Sequence, residues 1–144
     1  MKDRLLGAWH LKSWAIHYSN RDEVTYPYGD EPLGMLVYTG DGWMNAVISL
    51  RDRQPLPDGV SPRKMDPELL ADAYRSFFQY SGRYRVEGDT VIHSVTQALV
   101  PNMIGTEQVR QARFEEGDLY LQGEESLGAQ VTRIHRLHWC REAV

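Results

Sequence analysis

The 144-residue sequence has a single cysteine, Cys140, so no disulfide can form within the chain. A domain of this length buries roughly 70% of the surface its unfolded chain exposes and needs no cross-link. A basic excess is also lacking: 16 Lys and Arg face 20 Asp and Glu, for a formal net charge of -4, which argues against a dedicated nucleic-acid or anionic-membrane surface. No stretch approaches the ~20 consecutive apolar residues of a membrane-spanning helix. The segment Met1-Lys2-Asp3-Arg4-Leu5-Leu6-Gly7 lacks the apolar run of a signal peptide. With one cysteine and no such run, cytoplasmic residence is expected, and no membrane insertion.

The motifs of nucleotide, metal and nucleophile chemistry are missing too. There is no G-x-G-x-x-G, no Walker motif, no C-x-x-C and no H-E-x-x-H. Ser13 and Ser49 are not framed by the G-x-S-x-G of a hydrolase elbow. His135 and His138 lie three apart, a spacing that puts two strand side chains on opposite faces and does not suit a metal pair. No cofactor and no metal are therefore expected.

What the sequence does contain is a series of short apolar and aromatic runs punctuated by turns. Strands are expected at 6–18, 34–39, 43–50, 80–87, 90–99, 106–115, 119–122 and 130–140. Gly40-Asp41-Gly42, Gly88-Asp89 and Glu116-Gly117-Asp118 supply hairpin turns. Residues 51–65 hold Pro55, Pro57, Gly59 and Pro62 and read as a loop that covers one end of the fold. Asp66-Pro67-Glu68 then opens the one expected helix, running to about residue 78, with Asp66 as cap and Pro67 in the first turn. About eight antiparallel strands with short links suit an up-and-down β-barrel over 1–144, whose interior can hold one small ligand.

Several ordered segments carry a resemblance. Gly7-Ala8-Trp9-His10-Leu11-Lys12-Ser13-Trp14 opens with G-x-W; Tyr26-Pro27-Tyr28-Gly29 and the Gly34-to-Gly42 hairpin with Tyr38 follow. Tyr80-Ser81-Gly82-Arg83-Tyr84, His93, Pro101-Asn102, Gly105 and Gln108-Val109-Arg110 continue the pattern over nearly the whole chain. The chain thus resembles the bacterial and fungal lipocalin-like domain family, a group of small barrels. The resemblance implies an internal pocket and no single activity. It also implies that Arg141 packs across Trp9 and that Trp9 points inward.

Strand alternation then assigns the other faces. On the first strand Leu11, Ser13, Ala15 and His17 follow Trp9 inward, leaving Trp14, Ile16 and Tyr18 as an outer apolar stripe. Tyr80 and Tyr84 point in, as do His93 and Gln97, and Phe114 with Ala112 favours an inward Arg110. The expected ligand-binding residues are Ser13, His17, Tyr38, Asn45, Tyr80, Tyr84, His93, Gln97 and Arg110, in an otherwise apolar cavity. A buried Arg110 needs a partner: Glu107, another protein carboxylate, or a ligand carboxylate, phenolate or enolate.

Three functions fit these expectations. The first is a carrier or sequestering protein for a small, mainly apolar molecule. The second is a cofactor-independent isomerase or cyclase acting on a polyketide- or terpene-like compound, with His93, Tyr84 and Arg110 as the catalytic candidates. The third is a homodimer or partner-binding module using the stripe of Trp14, Ile16 and Tyr18.

Overall fold

The computed structural model describes residues 1–126, 128 and 130–142. Short α1 (Lys2–Leu5) leads into β1 (Gly7–Tyr18), β2 (Arg21–Thr25), β3 (Leu33–Tyr38) and β4 (Trp43–Ser49). After α2 (Pro67–Arg75) come β5 (Phe77–Glu87), β6 (Thr90–Ala98), β7 (Glu107–Glu115), β8 (Asp118–Ser126) and β9 (Thr132–Cys140). Every neighbouring pair is antiparallel, and β1 pairs with β9 as well as with β3, so eight strands close on themselves. β2 is a ninth strand laid along the far half of β1. Among the described residues no helix is long and apolar enough to cross a membrane.

Three elements differ from the sequence reading. β2 and α1 were not expected: Arg21-Asp22-Glu23-Val24-Thr25 is too polar to signal a strand, and α1 is a four-residue turn. α2 stops at Arg75 rather than running to 78, because Phe77 and Phe78 pair with Ser49 and Ile48 in the β4–β5 ladder. Aromatic side chains gain more on a packed sheet than in the last turn of an exposed helix. Asp66 accepts a hydrogen bond from the Glu68 amide, as a helix cap should.

One end of the barrel is shut by aromatic packing. The Trp9 indole donates to the Leu5 carbonyl at 2.8 Å, so α1 plugs the barrel floor. The Arg141 guanidinium lies 3.5 Å from the Trp9 ring centroid and donates to the carbonyls of Ala8 and Arg4. The expected Arg141–Trp9 contact is present. Cys140 is a buried thiol beside it.

Two bulges decide what faces inward. In the β1–β9 ladder Leu11 pairs with Trp139 and Ser13 with His138, so Lys12 is an extra residue. A bulge of this kind turns the rest of the strand by one face. Beyond it, Trp14 sits beside Leu137 and Ile16 beside His135, on the side of the core. In the β5–β6 ladder Gly82 pairs with Val95 and Ser81 with Gln97, so Thr96 is extra. Gly82 is what permits it: a β-carbon there would lie 1.9 Å from the Ser94 carbonyl oxygen.

Candidate functional site

The floor of Trp9, Trp139 and Leu119 and the inner faces of β1, β3, β4 and β5 leave a cavity of about 400 Å³ in the other half of the barrel. Trp14, Ile16, Leu36, Ala46, Ile48 and Phe78 form one wall, and Leu121, Leu137 and Trp139 face them. This lies within the usual size of small-molecule sites, roughly 300–1,000 Å³ with mostly apolar walls. The mouth is framed by Pro27, Met103, Gln108 and the Glu125–Arg133 ion pair. Tyr28 packs edge-on against Trp14, with ring centroids 5.4 Å apart. The cover at this end thus comes from the turn at 26–29 and from Met103. None of residues 51–65 lines the cavity, contrary to expectation; Arg51 and Arg53 instead tie that loop to Glu31, Ala73 and Ser76.

A buried polar chain crosses the barrel beside the cavity. His93, only 2% exposed, is held between two tyrosines: Tyr38 Oη lies 2.7 Å from Nε2, and Tyr80 Oη 2.7 Å from Nδ1. Burial, aided by the Arg110 charge, lowers the His93 pKa to about 3, so the imidazole is neutral at physiological pH. A neutral imidazole has one donor and one acceptor nitrogen. Tyr38 is fully enclosed, with His93 as its one hydrogen-bond partner among the described residues. A buried hydroxyl that fails to donate costs ~1–3 kcal/mol. Tyr38 therefore donates to Nε2, Nδ1–H donates to Tyr80, and the Tyr80 O–H is left over at the cavity wall. Burial raises the Tyr80 phenol above its ordinary value, opposed by the nearby Arg110 charge, so it stays protonated.

Arg110 lines the cavity, as expected, and Glu107 is not its partner. Glu107 pairs with Arg85 on the outside, at 2.8 Å. Arg110 donates to the Val109 carbonyl and, at 3.4 Å, to Gln108 Oε1. No carboxylate among the described residues forms an ion pair with it. The guanidinium lies over Gly123, where a β-carbon would come within 2.5 Å of Nη1. The glycine in β8 is thus the space that lets Arg110 lie flat against the cavity, at the point where β7 and β8 have ceased to pair.

The nine candidate ligand residues divide by place. Tyr80, His93 and Arg110 meet at the cavity. Tyr38 and Tyr84 are inward but lie behind it, Tyr84 donating to the Thr39 carbonyl near the floor. Ser13, His17, Asn45 and Gln97 are not inside. Ser13 and His17 are turned outward by the bulge at Lys12, Gln97 by the bulge at Thr96, and Asn45 accepts from Gln79 on the exposed face of β4. The same bulge takes Trp14 and Ile16 from the supposed outer stripe to the cavity wall, and Tyr18 onto their face, hydrogen-bonded to Thr25. Trp14, Ile16 and Tyr18 therefore do not form a stripe on the outer face of the barrel.

The residues missed were Trp14, Ile16, His135, Trp139 and the Glu125–Arg133 pair. His135 accepts from the Trp14 indole and faces the mouth, whereas His138 stacks on Tyr120 outside and bonds Asp118. The two histidines do face opposite sides. The buried indole Nε1 of Trp139 has no hydrogen-bond partner among the described residues. A larger concavity, about 640 Å³, lies across the outer faces of β1, β7, β8 and β9 around Ser13, Arg113, Tyr120 and Arg136. Its charged residues Asp89, Arg113 and Arg136 are exposed.

No curated protein matches the chain. The sequence model described as "Lipocalin-like domain" matches residues 6–141, and a barrel of that kind suits small-molecule binding in general. With nearly its whole length matched and its eight strands closed around a cavity, the chain belongs to the lipocalin-like domain family.

Proposed function

We propose that the protein binds a small, mainly apolar molecule inside the barrel and acts as its carrier or sequestering protein. The observation that carries this reading is the cavity inside the barrel: apolar on most of its wall, with Tyr80, His93 and Arg110 meeting at one place. Apolar walls supply affinity at about 25 cal/mol per Å² removed from water, and a few fixed polar groups orient the guest.

The isomerase or cyclase alternative stands second. General acid–base work favours a pKa near the operating pH. His93 is neutral and far from it, with both nitrogens committed to tyrosines, and burial raises the phenols of Tyr80 and Tyr84. Tyr84 is also remote from the cavity. These features suit holding a guest more than moving its protons.

Calorimetric titration with methyl 2-naphthoate, a neutral apolar ester, tests the reading. Wild-type protein is expected to bind one equivalent and release it unchanged. Ala46→Phe, which fills the cavity wall, should bind it at least tenfold more weakly. Absence of binding, or equal binding by a folded Ala46→Phe, contradicts the interior site. Conversion of an apolar substrate during incubation would favour the catalytic alternative.

A further inference from the structure

The cavity wall presents several hydrogen-bond donors. At the mouth the Glu125 charge is met by Arg133, and both Arg133 and His135 approach the same oxygen, Oε1. The nitrogens of His93 are both used, so Tyr80 faces the cavity with a proton to give. The Trp139 indole N–H on the same lining is buried and has no partner among the described residues. Arg110 adds a guanidinium with five donors; it bonds the Val109 carbonyl and Gln108 Oε1 and also lies against the Tyr80 hydroxyl, and all three partners are uncharged.

Charge gives the same reading. Arg133 and Glu125 cancel, and the histidine beside Arg110 is neutral, so Arg110 leaves one uncompensated positive charge on the lining. A chain of net charge -4 has no general excess of cations to place there. A partly buried cation without a carboxylate is costly unless something anionic completes it. The bare backbone at Gly123 is the feature that gives the guanidinium its place.

We infer that the ligand is a small apolar monocarboxylate, its carboxylate oxygens against Arg110 and Tyr80 and its hydrocarbon body along Trp14, Ile48 and Leu121. This rests on the interior being the binding site. Arginine is the residue best matched to a carboxylate, because its planar fork donates two parallel bonds. Tyr80, oriented from behind by His93, offers a third donor without any change of protonation.

The test compares 2-naphthoate with methyl 2-naphthoate by calorimetry at pH 7. The two share one ring system and differ in charge. Wild-type protein is expected to bind the carboxylate roughly tenfold to a hundredfold more tightly than the ester, the range of one charge-assisted hydrogen bond. Arg110→Met should bring the two affinities within about threefold of each other. Gly123→Ala should do the same while keeping Arg110 in the chain, since its β-carbon displaces the guanidinium. Equal or tighter binding of the ester by wild type overturns the inference and leaves the cavity reading standing. A carboxylate preference that survives in both variants also overturns it, by placing the anion elsewhere. Failure of both compounds to bind overturns the cavity reading and the inference together. If Arg110→Met does not fold, the wild-type ratio and Gly123→Ala decide.

Discussion

Tyr38 and His93 form a hydrogen bond of 2.7 Å in which the tyrosine is enclosed and has no second partner among the described residues. That pairing fixes more than its own geometry. With the Tyr38 proton on the Nε2 side, His93 must carry its own proton on Nδ1 and present it to Tyr80. The expected outcome is a neutral Nδ1–H tautomer at pH 7, read directly from the two ring ¹⁵N shifts. An Nε2–H ring would mean that Tyr80 donates backward and that the cavity has lost one donor.

The same burial ties stability to pH. The His93 pKa is about 3 in the folded chain and near 6.5 in the unfolded one. Between those values the unfolded state binds the extra proton, so stability is full above about pH 6.5 and falls as pH drops toward 3. The slope approaches ~1.4 kcal/mol per pH unit for one proton. His135, also lowered by burial, contributes in the same direction. His93→Phe should therefore cost ~1–3 kcal/mol at pH 7, through the orphaned Tyr38 hydroxyl. It should also lose stability less steeply than wild type between pH 6.5 and 5. Urea unfolding across that window measures both, and parallel profiles would contradict the assignment.

Gly82→Ala should be among the most damaging single-methyl additions in the barrel. Its β-carbon would meet a backbone oxygen at 1.9 Å, and backbone in a closed ladder cannot swing aside. A loss of about 3 kcal/mol or more is expected in denaturant unfolding. A change within ~0.5 kcal/mol would mean that the bulge at Thr96 is not needed.

Arg141→Ala should loosen the floor without touching the cavity. It removes the cation over Trp9 and two hydrogen bonds to the carbonyls of Ala8 and Arg4. About 1–2 kcal/mol of stability should be lost. Amide exchange in α1 should accelerate while affinity for methyl 2-naphthoate stays within twofold. A large loss of affinity would place the ligand at the floor instead.

The barrel was legible in the sequence because its hairpins and strand spacings are local, and G-x-W with Arg141 marked the floor. The site was legible only as far as strict alternation held. Tyr80, His93 and Arg110 lie on stretches whose face assignment survives, and each points as expected. Ser13, His17 and Gln97 lie beyond a bulge, and one extra residue reverses every face after it. The signals were present. Trp9 and Leu11 are two apart, but the next bulky apolar residue, Trp14, is three on, a phase break that a bulge would explain. Gly82 inside an aromatic strand is the usual mark of close backbone approach. Gly123 lies one residue past the strand expected at 119–122, and it is the room left for Arg110. That relation links residues on two different strands and has no local signature.

The central claim, that the guest enters the barrel and not the outer groove, is tested most directly by mapping amide and methyl shifts while methyl 2-naphthoate is titrated into ¹⁵N,¹³C-labelled protein. The interior site requires the largest changes at Ile16, Ala46, Ile48, Leu121 and Leu137, with little movement at Ser13, Gln111, Tyr120 and Arg136. Shifts confined to that outer group, or no saturable shifts at all, would contradict it.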